Sequence, residues 1–135
     1  MLPEERAYIA GIIDREGSIM LIRFHKNQFP SPCITVASTS LELLEWIQST
    51  SKIGYIKSKK NYNPNCHKDS YTYLVKYNDA ISLLEQIAPH LIISQKKMRA
   101  QLIIDEYKLL TPRNGRYTPD LIQAKEDFYN RFMAI

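Results

Sequence analysis

Two carboxylates, Asp14 and Glu16, close an apolar N-terminal run, with Arg15 between them and Gly17 directly behind. Carboxylate oxygens are hard ligands of the kind that suits Mg2+, and the glycine permits a turn. Read alone, Glu16 is equally a surface acid beside a turn. Thiol or zinc chemistry finds less support. Cys33 and Cys66 lie far apart, and neither has a further Cys or His at ligand spacing. His67 is adjacent to Cys66, but a single such pair does not make a zinc site. The cysteines read as reduced thiols of an intracellular protein.

Basic residues form the second chemical feature. The formal charge of +4 is modest but unevenly spread. Between Gly17 and Leu41 there is no acid, while Arg23 and Lys26 are present. Between Trp46 and Lys68 there is again none, against Lys52, Lys57, Lys59, Lys60 and Lys68. These two segments carry +7, which leaves eleven basic and fourteen acidic residues, or −3, in the rest of the chain. Excluding carboxylates from a surface is what a polyphosphate partner requires. A pair of solvated lysine-rich loops would have the same composition.

The elements that must position these groups can be read from periodicity and punctuation. A chain of 135 residues, 44% hydrophobic and 24% charged, fits one compact domain, 1–135, with a real core. No apolar stretch reaches the length of a membrane span, and the two glutamates before the apolar run argue against a secretion signal. Residues 3–13 read as a helix, with Pro3 in its first turn and Glu4 and Glu5 at the positive end of its dipole. Strands follow at 18–25 and 34–38, then a helix from Leu41 capped by Ser40. After Gly54, strands at 55–59 and 71–77 flank a polar loop. Asn78 or Asp79 is expected to cap a third helix ending near Ile87. A longer helix after Ser94 carries Met98, Leu102, Ile103 and Leu109, and Thr118-Pro119-Asp120 starts the last. The class is α+β, in the order α-β-β-α-β-β-α-α.

With that order in place, Ile9-Ala10-Gly11-Ile12-Ile13-Asp14-Arg15-Glu16-Gly17 resembles the motif Leu-Ala-Gly-Leu-Ile-Asp-Ala-Asp-Gly that names the LAGLIDADG homing endonucleases. The resemblance continues through Ile34-Thr35-Val36 and the helix after Ser40, through Ile53-Gly54-Tyr55-Ile56, and through Pro89-His90-Leu91-Ile92-Ile93 with Gln95-Lys96-Lys97. It implies a site-specific endonuclease making a Mg2+-dependent double-strand break in a long, near-palindromic DNA target, and so promoting the mobility of its intron or intein. It further implies that Glu16 and the Arg15 carbonyl hold the metal and that Asp14 is structural. Ala10 and Gly11, lacking bulk, would let two copies of the motif helix approach closely. A single motif implies a homodimer whose two sheets form a saddle on DNA.

The acid-poor segments are the two hairpins, so Lys57, Lys59, Lys60, Lys68, Thr35, Lys26, Arg23 and His25 are the expected DNA contacts. Strict alternation from Ser18 puts Met20, Ile22 and Phe24 on the DNA face and Arg23 and His25 inward; a bulge would reverse this. The cost of burying Arg23 without a partner favours its exposure. Ser38 and Glu42 stand where some relatives carry glutamine and arginine. The basic group expected beside the scissile phosphate falls on Lys96 or, in an ungapped alignment, on Ser94. A splicing maturase that binds intron RNA and a catalytically silent DNA-binding protein remain alternative readings of the same fold.

Overall fold

The computed structural model describes all 135 residues, Met1–Ile135. Helix α1 spans Pro3–Glu16. Its start is held by Glu5, whose carboxylate accepts the Leu2 N–H at 2.7 Å. Ile9, Ala10 and Ile13 form its buried stripe, while Glu4, Ala7, Tyr8, Gly11 and Arg15 face outward. The helix runs one turn further than its apolar pattern suggests and passes directly into β1, Gly17–Ile22.

Strands β2 (Ser31–Ser38), β3 (Tyr55–Ser58) and β4 (Tyr71–Lys76) complete a four-stranded antiparallel sheet in the order β1-β2-β4-β3. The register places Gly17, Val36, Tyr73 and Ile56 at one level across the sheet. Because side chains alternate between faces, one face carries Ile19, Leu21, Ile34, Val36, Tyr73 and Val75 into the core. The other carries Ser18, Met20, Thr35, Ala37, Thr72, Leu74, Tyr55 and Lys57. No helix-borne core residue is needed on that second side. The sheet has one packed face and one open face, as antiparallel sheets commonly do.

Helices α2 (Leu41–Ser51), α3 (Tyr77–Ile87), α4 (Ser94–Leu102) and α5 (Pro119–Met133) supply the remaining core. Leu44 and Ile47 enter it from α2, and Ala80, Ile81, Leu83, Leu84 and Ile87 from α3. Phe128 and Phe132 enter it from α5. Ser40 caps α2 as expected, its hydroxyl accepting the Leu43 N–H at 3.3 Å. Thr118 caps α5 in the same way at 3.2 Å.

Strand β1 ends at Ile22, short of the expected 25, β2 begins at Ser31, ahead of the expected 34, and two expectations about the helices fail. Helix α3 begins at Tyr77 without a side-chain cap, so neither Asn78 nor Asp79 caps it; the extended Lys76 and a positive φ of 58° at Tyr77 turn the chain straight from strand to helix. The long helix after Ser94 is also not uniform. It is α-helical only to Leu102, then widens into a π turn over Ile103–Tyr107 and tightens to a 3-10 turn ending at Leu110. Ile103 and Tyr107 are both buried, and Leu109, expected on the apolar stripe, is exposed. Arg131 of α5 grips Glu106 of this irregular segment with two hydrogen bonds, at 2.6 and 2.8 Å, and the guanidinium holds the Glu106 carboxyl below its ordinary range.

Candidate active site and nucleic-acid interface

Four hydrogen bonds from residues distant in the chain meet at the C-terminal end of α1. Asp14 accepts two backbone N–H groups across the molecule, from Ile92 at 2.9 Å and Ile93 at 3.2 Å. Lys96, on the first turn of α4, turns its ammonium back to the same helix end. It donates to the Ile13 carbonyl at 2.7 Å and the Asp14 carbonyl at 2.5 Å. The Ile13 carbonyl also accepts the Gly17 N–H, the Asp14 carbonyl belongs to the last turn, where intrahelical donors run out, and a cation there meets the negative end of the dipole. Lys96 therefore caps α1. Arg99, one turn later, donates to the Ile19 carbonyl at 3.1 Å, which ties α4 to β1.

Glu16 is not tied down in this way. Its side chain is 53% exposed, and its one charged neighbour is Arg15, with Nε 3.9 Å away. The chain contains no cluster of three or more His, Cys, Asp or Glu side chains able to enclose a metal. One exposed carboxylate beside helix-end carbonyls is the donor set of a hard cation that keeps several waters and takes further ligands from phosphate oxygens. These residues fit Mg2+ in that role.

The expected assistants separate clearly. Ser94 opens α4 exposed, and Lys97 is exposed. Lys96 is half-buried and reaches the carbonyl two residues before Glu16. Losing these charge-assisted bonds removes a cap, so Lys96→Met should lower stability by about 1–3 kcal/mol in denaturant titration. An unchanged unfolding midpoint would contradict the capping role.

The sheet residues divide by face. Thr35 and Lys57 lie on the open face. Lys59 lies just beyond β3, its N–H still bonded to the Ser70 carbonyl at 2.9 Å. Lys60 and Lys68 stand exposed in the connecting loop, with the Lys60 ammonium 5.0 Å from the Tyr62 ring centre. His25 and Lys26 sit at the tip of the first hairpin, in a turn closed by the Gln28 N–H on the His25 carbonyl at 3.1 Å. Arg23 is exposed, but no bulge brings it to the open face. It shares a cleft with Leu21, Phe29, Glu126 and Tyr129, on the side of α5. Strict alternation holds beyond the strand end, so Phe24 takes the open side.

Ala10 is a correction. It is fully buried in the core of its own chain and offers a second helix no side-chain surface. Neighbouring residues on a helix point about 100° apart, so Gly11 alone of the pair faces outward. A Cβ built there meets nothing within 4 Å.

One cation of the open face escaped the sequence reading. Lys76 pairs with Cys33, which pairs with Met20. Its ammonium stands 4.4 Å from the Phe24 ring centre and 5.2 Å from that of Tyr55. Hydrogen bonding to the Tyr55 side chain holds its pKa above the ordinary lysine value. Lys76 lies outside both acid-poor segments, next to Tyr77, Asn78 and Asp79, and this concealed it. The alternation of Thr72, Leu74 and Lys76 along β4 was the signal available.

No family model and no curated protein matches the chain. Solved structures do. The homing endonuclease I-CvuI, in complex with its target in the presence of calcium, aligns with a TM-score of 0.76 at 18% identity, over 98% of this chain and 82% of that one. The archaeal intron-encoded homing endonuclease I-Vdi141I, complexed with DNA, aligns at 0.63 and 20% identity, over 97% and 83%. The LAGLIDADG homing endonuclease I-GzeII, in complex with a DNA target, aligns at 0.68 and 20% identity; the match takes in 92% of this chain and only 43% of that longer one. With its motif at the junction of α1 and β1 and its open four-stranded sheet, the chain has the fold of the LAGLIDADG homing endonucleases.

Proposed function

We propose that the chain is a homodimeric, metal-dependent DNA endonuclease that makes a double-strand break at a long, near-palindromic site, and that the break serves the mobility of its own intron or intein. The observation that carries this reading is the exposed Glu16 carboxylate, held only by a long contact to Arg15 and presented at the end of a bridged helix.

Each chain brings one such corner, so cutting two strands takes two chains. The outward stripe of α1 is suited to this: Ala7 and Gly11 lack bulk, and exposed Tyr8 lies further along it. Ile92 and Ile93, 81% and 47% exposed, stand beside the helix end, where a partner would cover them. Twofold symmetry in the protein is mirrored in a near-palindromic target. The two open faces then form a saddle along the major groove, which admits a pair of strands. Glu16 and the Arg15 carbonyl supply the metal ligands, and Asp14 fixes the corner without joining it. A divalent metal bound there supplies an activated water and charge neutralisation at the leaving oxygen.

Selection from a randomised near-palindromic DNA library in Mg2+ tests the reading. The expected result is one discrete double-strand cut that chelation abolishes. Binding without cutting would indicate a silent DNA-binding protein, and a preference for structured intron RNA would indicate a maturase.

Assembly is tested separately with Gly11→Leu. Gly11 is exposed, a Cβ there meets nothing in the single chain, and leucine is the better helix former by roughly 0.5–1 kcal/mol. The variant should therefore fold at least as well as the wild type and yet sediment as a monomer. A monomeric wild type, or a dimeric variant, would refute the interface.

A further inference from the structure

The open face changes character along its length. At the level of Lys57 it carries Thr72 and Ala37, with Thr35 and Ser18 one step on. Leu74 and Tyr55 share the level of Thr35 and Ser18, and the next level outward carries Met20, Cys33 and Lys76, with Phe24 following beyond β1. Lys76 is the only charged side chain at that outer level.

Its setting is unusual for a surface lysine. Lys76 is the last residue of β4, two residues past the end of the pairing with β3 at Leu74, so it stands at the outer corner of the sheet with only β2 beside it. Phe24 and Tyr55 flank its ammonium, and buried Cys33 lies next to it on β2. The aromatic contacts restrict the side chain before any partner arrives, which lowers the entropy lost on binding. The Lys76 side chain belongs to the open face, which in the proposed saddle is turned toward the base edges of the major groove. Among those edges the O6 and N7 acceptors of guanine suit a lysine ammonium. Distance along the sheet fixes the place. Met20, at the level of Lys76, is three residues beyond Gly17. At about 3.3 Å per residue this is roughly 10 Å, or about three base pairs.

We propose that Lys76 reads a guanine in each half-site, about three base pairs outward from the cut. The proposal rests on the endonuclease reading and adds to it a specificity-determining residue.

The test is a binding selection from a randomised near-palindromic library, followed by mapping of the cut, for the wild type, Lys76→Ala, Lys76→Gln and Lys76→Arg. Thermal melts check that each variant is folded. The wild type should prefer guanine about ten-fold or more at one position in each half-site. Lys76→Ala should lose that preference and keep the others, Lys76→Gln should turn it toward adenine, and Lys76→Arg should retain it. Three outcomes would overturn the proposal: a Lys76→Ala profile identical to wild type, equal weakening on every sequence with a shallower salt slope, or relaxation at a position far from that distance. The first would make Lys76 a brace for the aromatic pair, and the second a phosphate contact. A wild type that selects no DNA site would refute the endonuclease reading itself, independently of the variants.

Discussion

Replacing Glu16 with glutamine should leave folding, dimerisation and DNA affinity unchanged while cutting falls by about a thousand-fold or more. The substitution alters almost no volume. It touches no hydrogen bond that holds α1, because the caps there belong to Asp14 and Lys96. What it removes is the one carboxylate at the corner that accepts no hydrogen bond and has only a long contact to Arg15. Loss of a group one step removed from a metal commonly costs about 10–100-fold in affinity or activity, and loss of the only side-chain ligand should cost more. Single-turnover cleavage in Mg2+, with affinity measured separately in chelator, reads the two effects apart. Cutting at the wild-type rate would remove Glu16 from the active site. Equal loss of binding and cutting would make it a structural residue.

The second large effect concerns stability. Lys125 on α5 is 2% exposed and faces no carboxylate. Its ammonium stands 4.2 Å from the Tyr107 ring centre and within 6 Å of those of Phe29 and Tyr117, and it donates to the Thr111 hydroxyl. Burial lowers its pKa from 10.5 to about 8. Between those values the unfolded chain carries a proton that the folded chain has released. Stability attributable to this group therefore rises as pH increases from about 8 toward 10.5, and below about 8 the full cost of burying the charge applies. That fall in pKa corresponds to on the order of 3 kcal/mol, partly offset by the aromatic contacts. Lys125→Met keeps the stem and removes the ammonium. It should raise stability at pH 7 by about 1–2 kcal/mol, with the difference from wild type vanishing near pH 10.5. Denaturant titrations of both proteins at pH 7, 9 and 10.5 measure this. A destabilised variant at pH 7 would mean that the aromatic enclosure favours the cation.

Where the sequence reading succeeded, the signal was local. The position of the motif at a helix–strand junction, the Ser40 and Thr118 caps and the two hairpins all depend on residues close in the chain. Asp14 could be assigned a structural role, but its partners, the Ile92 and Ile93 N–H groups, are 78 and 79 residues away. The same distance problem affects Lys96: resemblance brought it toward the corner, yet only folding shows it capping α1. Ala10 and Gly11 look alike as small residues, and which of them faces the core depends on helix phase against the sheet. Lys76 was hidden by the acid-poor criterion, which weighs a segment, whereas a groove meets a face. Lys125 drew no attention because its enclosure is assembled from Phe29, Tyr107, Thr111 and Tyr117, on three separate stretches of chain.

The bonds that hold the end of α1 come from backbone groups at Ile92 and Ile93 and from Lys96, and no side chain of the open sheet face takes part in them. Under the endonuclease reading, the side chains that choose a sequence make none of the hydrogen bonds that hold the corner that breaks it. Substitutions among the outward residues of the hairpins can then accumulate without disturbing the cutting geometry. A mobile element whose insertion site drifts in its host can follow that drift by changing its reading surface alone, and an engineer can retarget the protein by the same route.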